Sequence, residues 1–190
     1  MMGRGIAACI ASGGYNVTLY DNNTASLPEA VMAVEALRDY LKLNNIPKGV
    51  RSKGAVSFAK TIKEAVSNVD FAFEVVFEDT ALKQKVFREI EKYCPETAVI
   101  CSNTSALSIT EISSGMKTQE RCMSTHFIGP AHLVPLVEIC PGKNTDRKYI
   151  PIVKRFLELC GKRPIVMKKE IDGFVAARLQ AALYREAMHI

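Results

Sequence analysis

The chain has 190 residues, 48% of them hydrophobic and 24% charged, with a formal net charge of +5 at pH 7. That length and apolar content can bury one full core, so one main domain is expected. The basic residues are scattered among acids, as at Lys60, Lys63, Lys83 and Lys85, without the clustering that a nucleic-acid footprint needs, and no apolar run reaches the length of a membrane span.

In chain order, Met2 to Ser12 is a run of small residues that predicts a helix ending at Gly13-Gly14, where a left-handed cap costs little. Asn16 to Tyr20 alternates and is rich in β-formers, a strand closed by Asp21. From Pro28 to Leu43, Val31, Val34, Leu37 and Leu41 recur at helical spacing, and Pro28 stands where a first turn tolerates it. A short strand over 55–58 and a brief helix over 62–66 follow. Phe71 to Val76 is apolar almost throughout, as strands are in a sheet covered on both faces. A helix is expected from Ala81 to Tyr93, then strands over 98–101, 122–127 and 136–139. A helix from Asp146 to Leu159, a strand over 165–167 and a helix from Gly173 onward complete the series. This alternation predicts an α/β, doubly wound, Rossmann-type, mostly parallel sheet.

The six cysteines (Cys9, Cys94, Cys101, Cys122, Cys140, Cys160) include no Cys-x-x-Cys pair and read as small core residues in a reducing compartment, so no metal site and an intracellular, cytoplasmic location are expected. A dinucleotide fingerprint needs a strand, a glycine-rich turn and a helix. Here only the helix side is present, with Gly3 in the place of the third glycine. Asp21 stands at the separation from Gly3 expected of a carboxylate that binds ribose hydroxyls, which favours NAD over NADP. Its alternative role is to cap a turn with Asn22 and Asn23. Further along, Ser102-Asn103-Thr104-Ser105, Thr125-His126-Phe127 and Pro135-Leu136-Val137-Glu138 supply a hydroxyl, an imidazole and a carboxylate. That set suits removal of a proton from an alcohol while a hydride leaves its carbon for a nicotinamide.

Taken in order with Met2-Gly3-Arg4-Gly5, Leu19-Tyr20-Asp21, Glu74 to Asp79 with Leu82-Lys83, and Asp172-Gly173-Phe174-Val175 with Arg178-Leu179, these motifs resemble the NAD-binding domain of the L-3-hydroxyacyl-CoA dehydrogenase family, which includes L-gulonate 3-dehydrogenases and carnitine dehydrogenases. The resemblance covers nearly the whole chain. It implies an NAD-binding domain over 1–170 and the first helix of a helical dimerisation domain over 171–190. It also implies a sheet lacking its first strand, and hence a piece of a longer, homodimeric protein that binds neither nucleic acid nor membrane. Mitochondrial members of the family leave that compartment open as well.

By the same resemblance, His126 is the base, Glu138 orients it and Ser105 holds the substrate oxygen beside the nicotinamide. Gly3, Asp21, Glu78, Lys83 and Ser105 contact NAD. The alternative for Ser105 is to cap a helix beginning near Leu107, and for Glu78 and Lys83 a solvated first helical turn. The implied reaction oxidises an L-3-hydroxyacyl-CoA to the 3-ketoacyl-CoA. A free 3-hydroxy acid of the gulonate or carnitine type is the other enzymatic substrate, and an inactive structural protein is the non-enzymatic reading. Gly129 and Ala177 stand where hydroxyacyl-CoA enzymes carry asparagines, and removing such amides withdraws donors from developing charge. Lys48, Arg51 and Lys53 are candidates to hold CoA phosphates.

Overall fold

The computed structural model describes residues 2–46 and 54–190. Its elements are α1 (Met2–Ser12), β1 (Val17–Leu19), α2 (Leu27–Leu43), β2 (Val56–Phe58), α3 (Ile62–Val66), β3 (Phe71–Glu74), α4 (Thr80–Tyr93), β4 (Val99–Ser102), α5 (Ile109–Ile112), β5 (Cys122–Phe127), β6 (Leu136–Pro141), α6 (Tyr149–Leu159), β7 (Arg163–Val166) and α7 (Ala176–His189). Lys48, Arg51 and Lys53 lie outside the described residues.

Five strands form one sheet in the order β3-β4-β5-β6-β7, and β1 and β2 form a separate parallel pair. All neighbours in the larger sheet are parallel except β5 and β6, which run antiparallel. The architecture is therefore Rossmann-type and mostly parallel. Strand β4 is buried at every position, and so is β5, because helices cover both faces.

On one face, Ile6 and Ile10 of α1 and Val153, Phe156 and Leu157 of α6 close over Val99, Cys101, Met123 and Phe127. On the other, Val66 of α3, Phe87 and Ile90 of α4, and Ile109 and Ile112 of α5 cover Ala72, Ile100 and Cys122. The period-2 alternation of β3 sends Phe71 and Phe73 to the first face, where Phe71 stacks on Phe156 at 4.3 Å between ring centroids, and leaves Ala72 and Glu74 on the second. Helix α2 packs by Val34 and Leu41 against Ala7 and Ala8 of α1, with Val17 and Leu19 of β1 and Val56 of β2 alongside.

Several boundaries differ from expectation for local reasons. The helix expected from Asp146 begins at Tyr149, because the Asp146 carboxylate accepts the Lys148 amide (2.9 Å) and holds a turn first. The last strand is Arg163–Val166, and the helix expected from Gly173 starts at Ala176, since Gly173 (φ 73°) and Phe174 (φ 46°) are both left-handed. The helix placed near Leu107 is α5, capped by Ser108, whose side chain accepts from the Glu111 amide.

Candidate active site

The antiparallel pairing of β5 with β6 puts His126 directly opposite Glu138. Opposed residues of an antiparallel pair project to the same face. His126 Nδ1 lies 2.8 Å from Glu138 Oε2, and Glu138 is 0% and His126 8% exposed. A carboxylate on Nδ1 keeps the proton there and leaves Nε2 as the acceptor. The second carboxylate oxygen is also engaged: the amides of Val175 and Ala176, at the start of α7, both donate to Glu138 Oε1 at 2.9 Å. Both oxygens of the buried carboxylate therefore have hydrogen-bond partners, which offsets the cost of taking them out of water.

The Ser105 segment follows β4. It is joined to the histidine strand through Asn103, whose Oδ1 accepts the Phe127 amide (2.9 Å). Glu78 Oε1 accepts from Thr104 Oγ1 (2.5 Å), the Ser105 amide (2.9 Å) and the Ala106 amide (3.2 Å). Ser105 is exposed and caps no helix, so its alternative role is not the one found; Thr104 Oγ1 instead accepts the Leu107 amide (2.9 Å). Burial opposes ionisation of Glu78, but the Thr104 hydroxyl, the Ser105 amide and the Lys83 ammonium outweigh it and hold the carboxyl below its usual range.

Beneath this loop lies a buried ion pair. Lys83 is 1% exposed, so the solvated-turn alternative does not hold for it, whereas Glu78 is exposed. Its Nζ meets Glu74 Oε1 (2.8 Å), Glu78 Oε2 (3.3 Å) and the Val76 carbonyl (3.2 Å). Glu74 also accepts the Val76 amide (2.6 Å) and Ser102 Oγ (2.7 Å). The ends of β3 and β4 and the first turn of α4 are thus tied to one another by charge-assisted hydrogen bonds.

Gly3 lies in the first turn of α1, and a Cβ there would come no closer than 3.9 Å to Val75, in the segment after β3. That turn carries no acidic side chain. Asp21 follows β1 and is exposed; its Oδ1 accepts the Asn23 amide (2.8 Å), the turn-capping contact weighed above. Gly129 faces the same end of α1, where an added Cβ would meet Met2 Sδ at 3.6 Å. Ala177 follows the Ala176 amide that holds Glu138. Among the described residues no group of three or more His, Cys, Asp or Glu is placed to hold a metal ion, and no helix is long and apolar enough to cross a membrane.

Residues 1–171 match the model of the 3-hydroxyacyl-CoA dehydrogenase NAD-binding domain. The chain belongs to this family. It is 36% identical over 194 residues to an L-carnitine dehydrogenase of Mesorhizobium japonicum, covering 99% of this chain and 52% of that protein. The crystal structure of 5-formyl-3-hydroxy-2-methylpyridine 4-carboxylic acid 5-dehydrogenase superposes with a TM-score of 0.92 at 31% identity, over 99% of this chain and 61% of the other. The structure of (S)-3-hydroxybutyryl-CoA dehydrogenase from Ralstonia eutropha gives 0.86 at 28%, over 98% and 66%. The chain therefore spans about half to two thirds of the length of these proteins.

NAD is the dinucleotide of this family's NAD-binding domain, and the residues present fit it. The first turn of α1 contains Gly3 and no acidic side chain, so it would meet a pyrophosphate without charge repulsion, and the exposed Asp21 carboxylate after β1 would meet ribose hydroxyls. The structure brings His126 with Glu138, and Glu78 with Lys83 and the Ser105 loop. Sequence reasoning assigned no role to Glu74, Ser102, Asn103 or Phe174. One signal was present for Glu74: a carboxylate inside an otherwise apolar strand demands a buried partner.

Proposed function

We propose that this domain serves an NAD-dependent oxidation of an L-3-hydroxyacyl-CoA to the 3-ketoacyl-CoA. The observation that carries the reading is the His126–Glu138 pair at 2.8 Å with a fully buried carboxylate. His126 Nε2 takes the proton of the substrate hydroxyl as its carbon gives up a hydride; Glu138 steadies the imidazolium that forms. Bound NAD supplies the hydride acceptor. Ser105, exposed in the loop after β4 that Asn103 ties to β5, donates its hydroxyl to the substrate oxygen. Glu78 contributes by fixing the Ser105 backbone, and Lys83 by fixing Glu78. Gly3 and Asp21 hold the pyrophosphate and the adenosine ribose.

A free 3-hydroxy acid is the second reading, favoured by the 36% identity to an L-carnitine dehydrogenase. The two separate in an absorbance assay at the NADH band. Oxidation of NADH with acetoacetyl-CoA, lost in His126→Ala, is expected. Reduction of NAD by L-carnitine with no response to acetoacetyl-CoA selects the free acid, and bound NADH with no turnover of either selects an inactive protein.

A further inference from the structure

We propose that the Gly173–Phe174 turn is a positioning element for the catalytic base: Phe174 lies against the His126 imidazole while the two amides after it hold Glu138. The proposal rests on the reading of His126 as the base. Phe174 is 1% exposed and packs with Cys140 and Met167, and its ring centroid is 5.6 Å from that of His126 at 43°. Its φ of 46°, next to 73° at Gly173, is a left-handed conformation that a bulky residue avoids unless its surroundings impose it. The conformation has a consequence for three parts of the site at once. It turns the chain so that the Phe174 ring meets His126, the Val175 and Ala176 amides meet Glu138 Oε1, and the Gly173 amide reaches the Ala106 carbonyl (3.4 Å) in the Ser105 loop.

Glu138 divides its oxygens, Oε2 to the imidazole and Oε1 to the start of α7. With Oε1 held, the carboxylate plane is set, and the Phe174 ring, tilted 43° beside the imidazole, hinders its rotation about χ2. Removing the ring opens a space beside the imidazole. The imidazole then turns, water reaches Oε2, and the Nδ1 proton is no longer confined to one tautomer. The Phe174 side chain has no titratable or hydrogen-bonding group, so its effect reaches catalysis through His126 and Glu138.

The test combines nitrogen NMR of the His126 ring in the unliganded protein with steady-state kinetics, for Phe174→Ala, Phe174→Met and Met167→Ala. Met167 belongs to the same buried cluster and serves as the structural control. The unsubstituted protein is expected to show His126 in a single Nδ1-protonated tautomer. Phe174→Ala is expected to show mixed tautomers and a loss of about tenfold in kcat with KM little changed, a fraction of the roughly 10²–10⁴ that a positioned base contributes. Phe174→Met, which refills the space, should recover most of both, and Met167→Ala should lower the melting temperature without altering the tautomer. A tautomer unchanged in Phe174→Ala, with a kcat no lower than in Met167→Ala, overturns the proposal. The tautomer change without turnover in any form, the unsubstituted protein included, upholds the positioning role and overturns the dehydrogenase reading.

Discussion

Glu78 shows how a half-exposed side chain is set by its immediate neighbours. Burial works against its charge, yet the carboxyl lies below the usual range because the ionised form receives a hydroxyl, two amides and an ammonium that the unfolded chain does not offer. A group whose folded pKa is depressed contributes stability that is present above its unfolded pKa and lost as pH falls through the folded one. Urea midpoints of Glu78→Gln should therefore trail the unsubstituted protein at pH 7, and converge with it only at pH values below the ordinary glutamate range, as Glu78 protonates through its depressed folded pKa. An equal gap at pH 7 and in that acid range would sink this account. The buried thiols behave oppositely, since burial penalises the thiolate: Cys101 and Cys160 are each pushed up to about 12, and Cys140 to about 11. Alkylation by iodoacetamide at pH 8 should accordingly spare these three in the folded protein and reach them at the rate of unfolding, with half-buried Cys94 modified first. Mass spectrometry of the modified peptides over time checks this order.

At the scale of elements, helix starts depend on single caps. Helix α4 is mostly polar, and its N-terminus is held by Asp79, whose Oδ1 accepts the Leu82 amide at 2.7 Å. Asp79→Ala should cost about 1 kcal/mol, which for a domain of this size lowers the melting temperature by roughly 2–4 °C. Asp79→Ser, which keeps an acceptor, should recover most of the loss in the same calorimetric scan. The helix boundaries near Tyr93 and Leu159 were legible because Pro95 and Gly161 punctuate them. The start of α7 was not, because it depends on a left-handed phenylalanine that no local preference foretells.

For the molecule as a whole, β3, β4 and β5 collect their carboxyl ends on one edge of the larger sheet, and reversing β6 adds Glu138 to that edge. The Glu74–Lys83 pair joins the strand side of this edge to the helix side, with both side chains essentially excluded from water. Removing one partner leaves an uncompensated buried charge. Lys83→Met is therefore expected to destabilise the domain by about 3–5 kcal/mol, and the double substitution Glu74→Gln with Lys83→Met to recover much of that loss. Chemical denaturation of the four proteins measures it, and a single substitution costing no more than the double one refutes the coupling.

The order of strands and helices was legible in the chain alone, because hydrophobic period and glycine or proline punctuation are local properties that survive without the fold. So was the presence of His126, Glu138 and Ser105 in motifs whose residue types announce proton transfer. Packing in three dimensions was needed to establish that β6 runs against β5 and so sets His126 opposite Glu138, that Glu74 and Lys83 meet in the interior, and that the Phe174 ring packs beside the imidazole. These are contacts between residues distant along the chain, and their geometry follows from strand direction and burial, which depend on all the elements packing together.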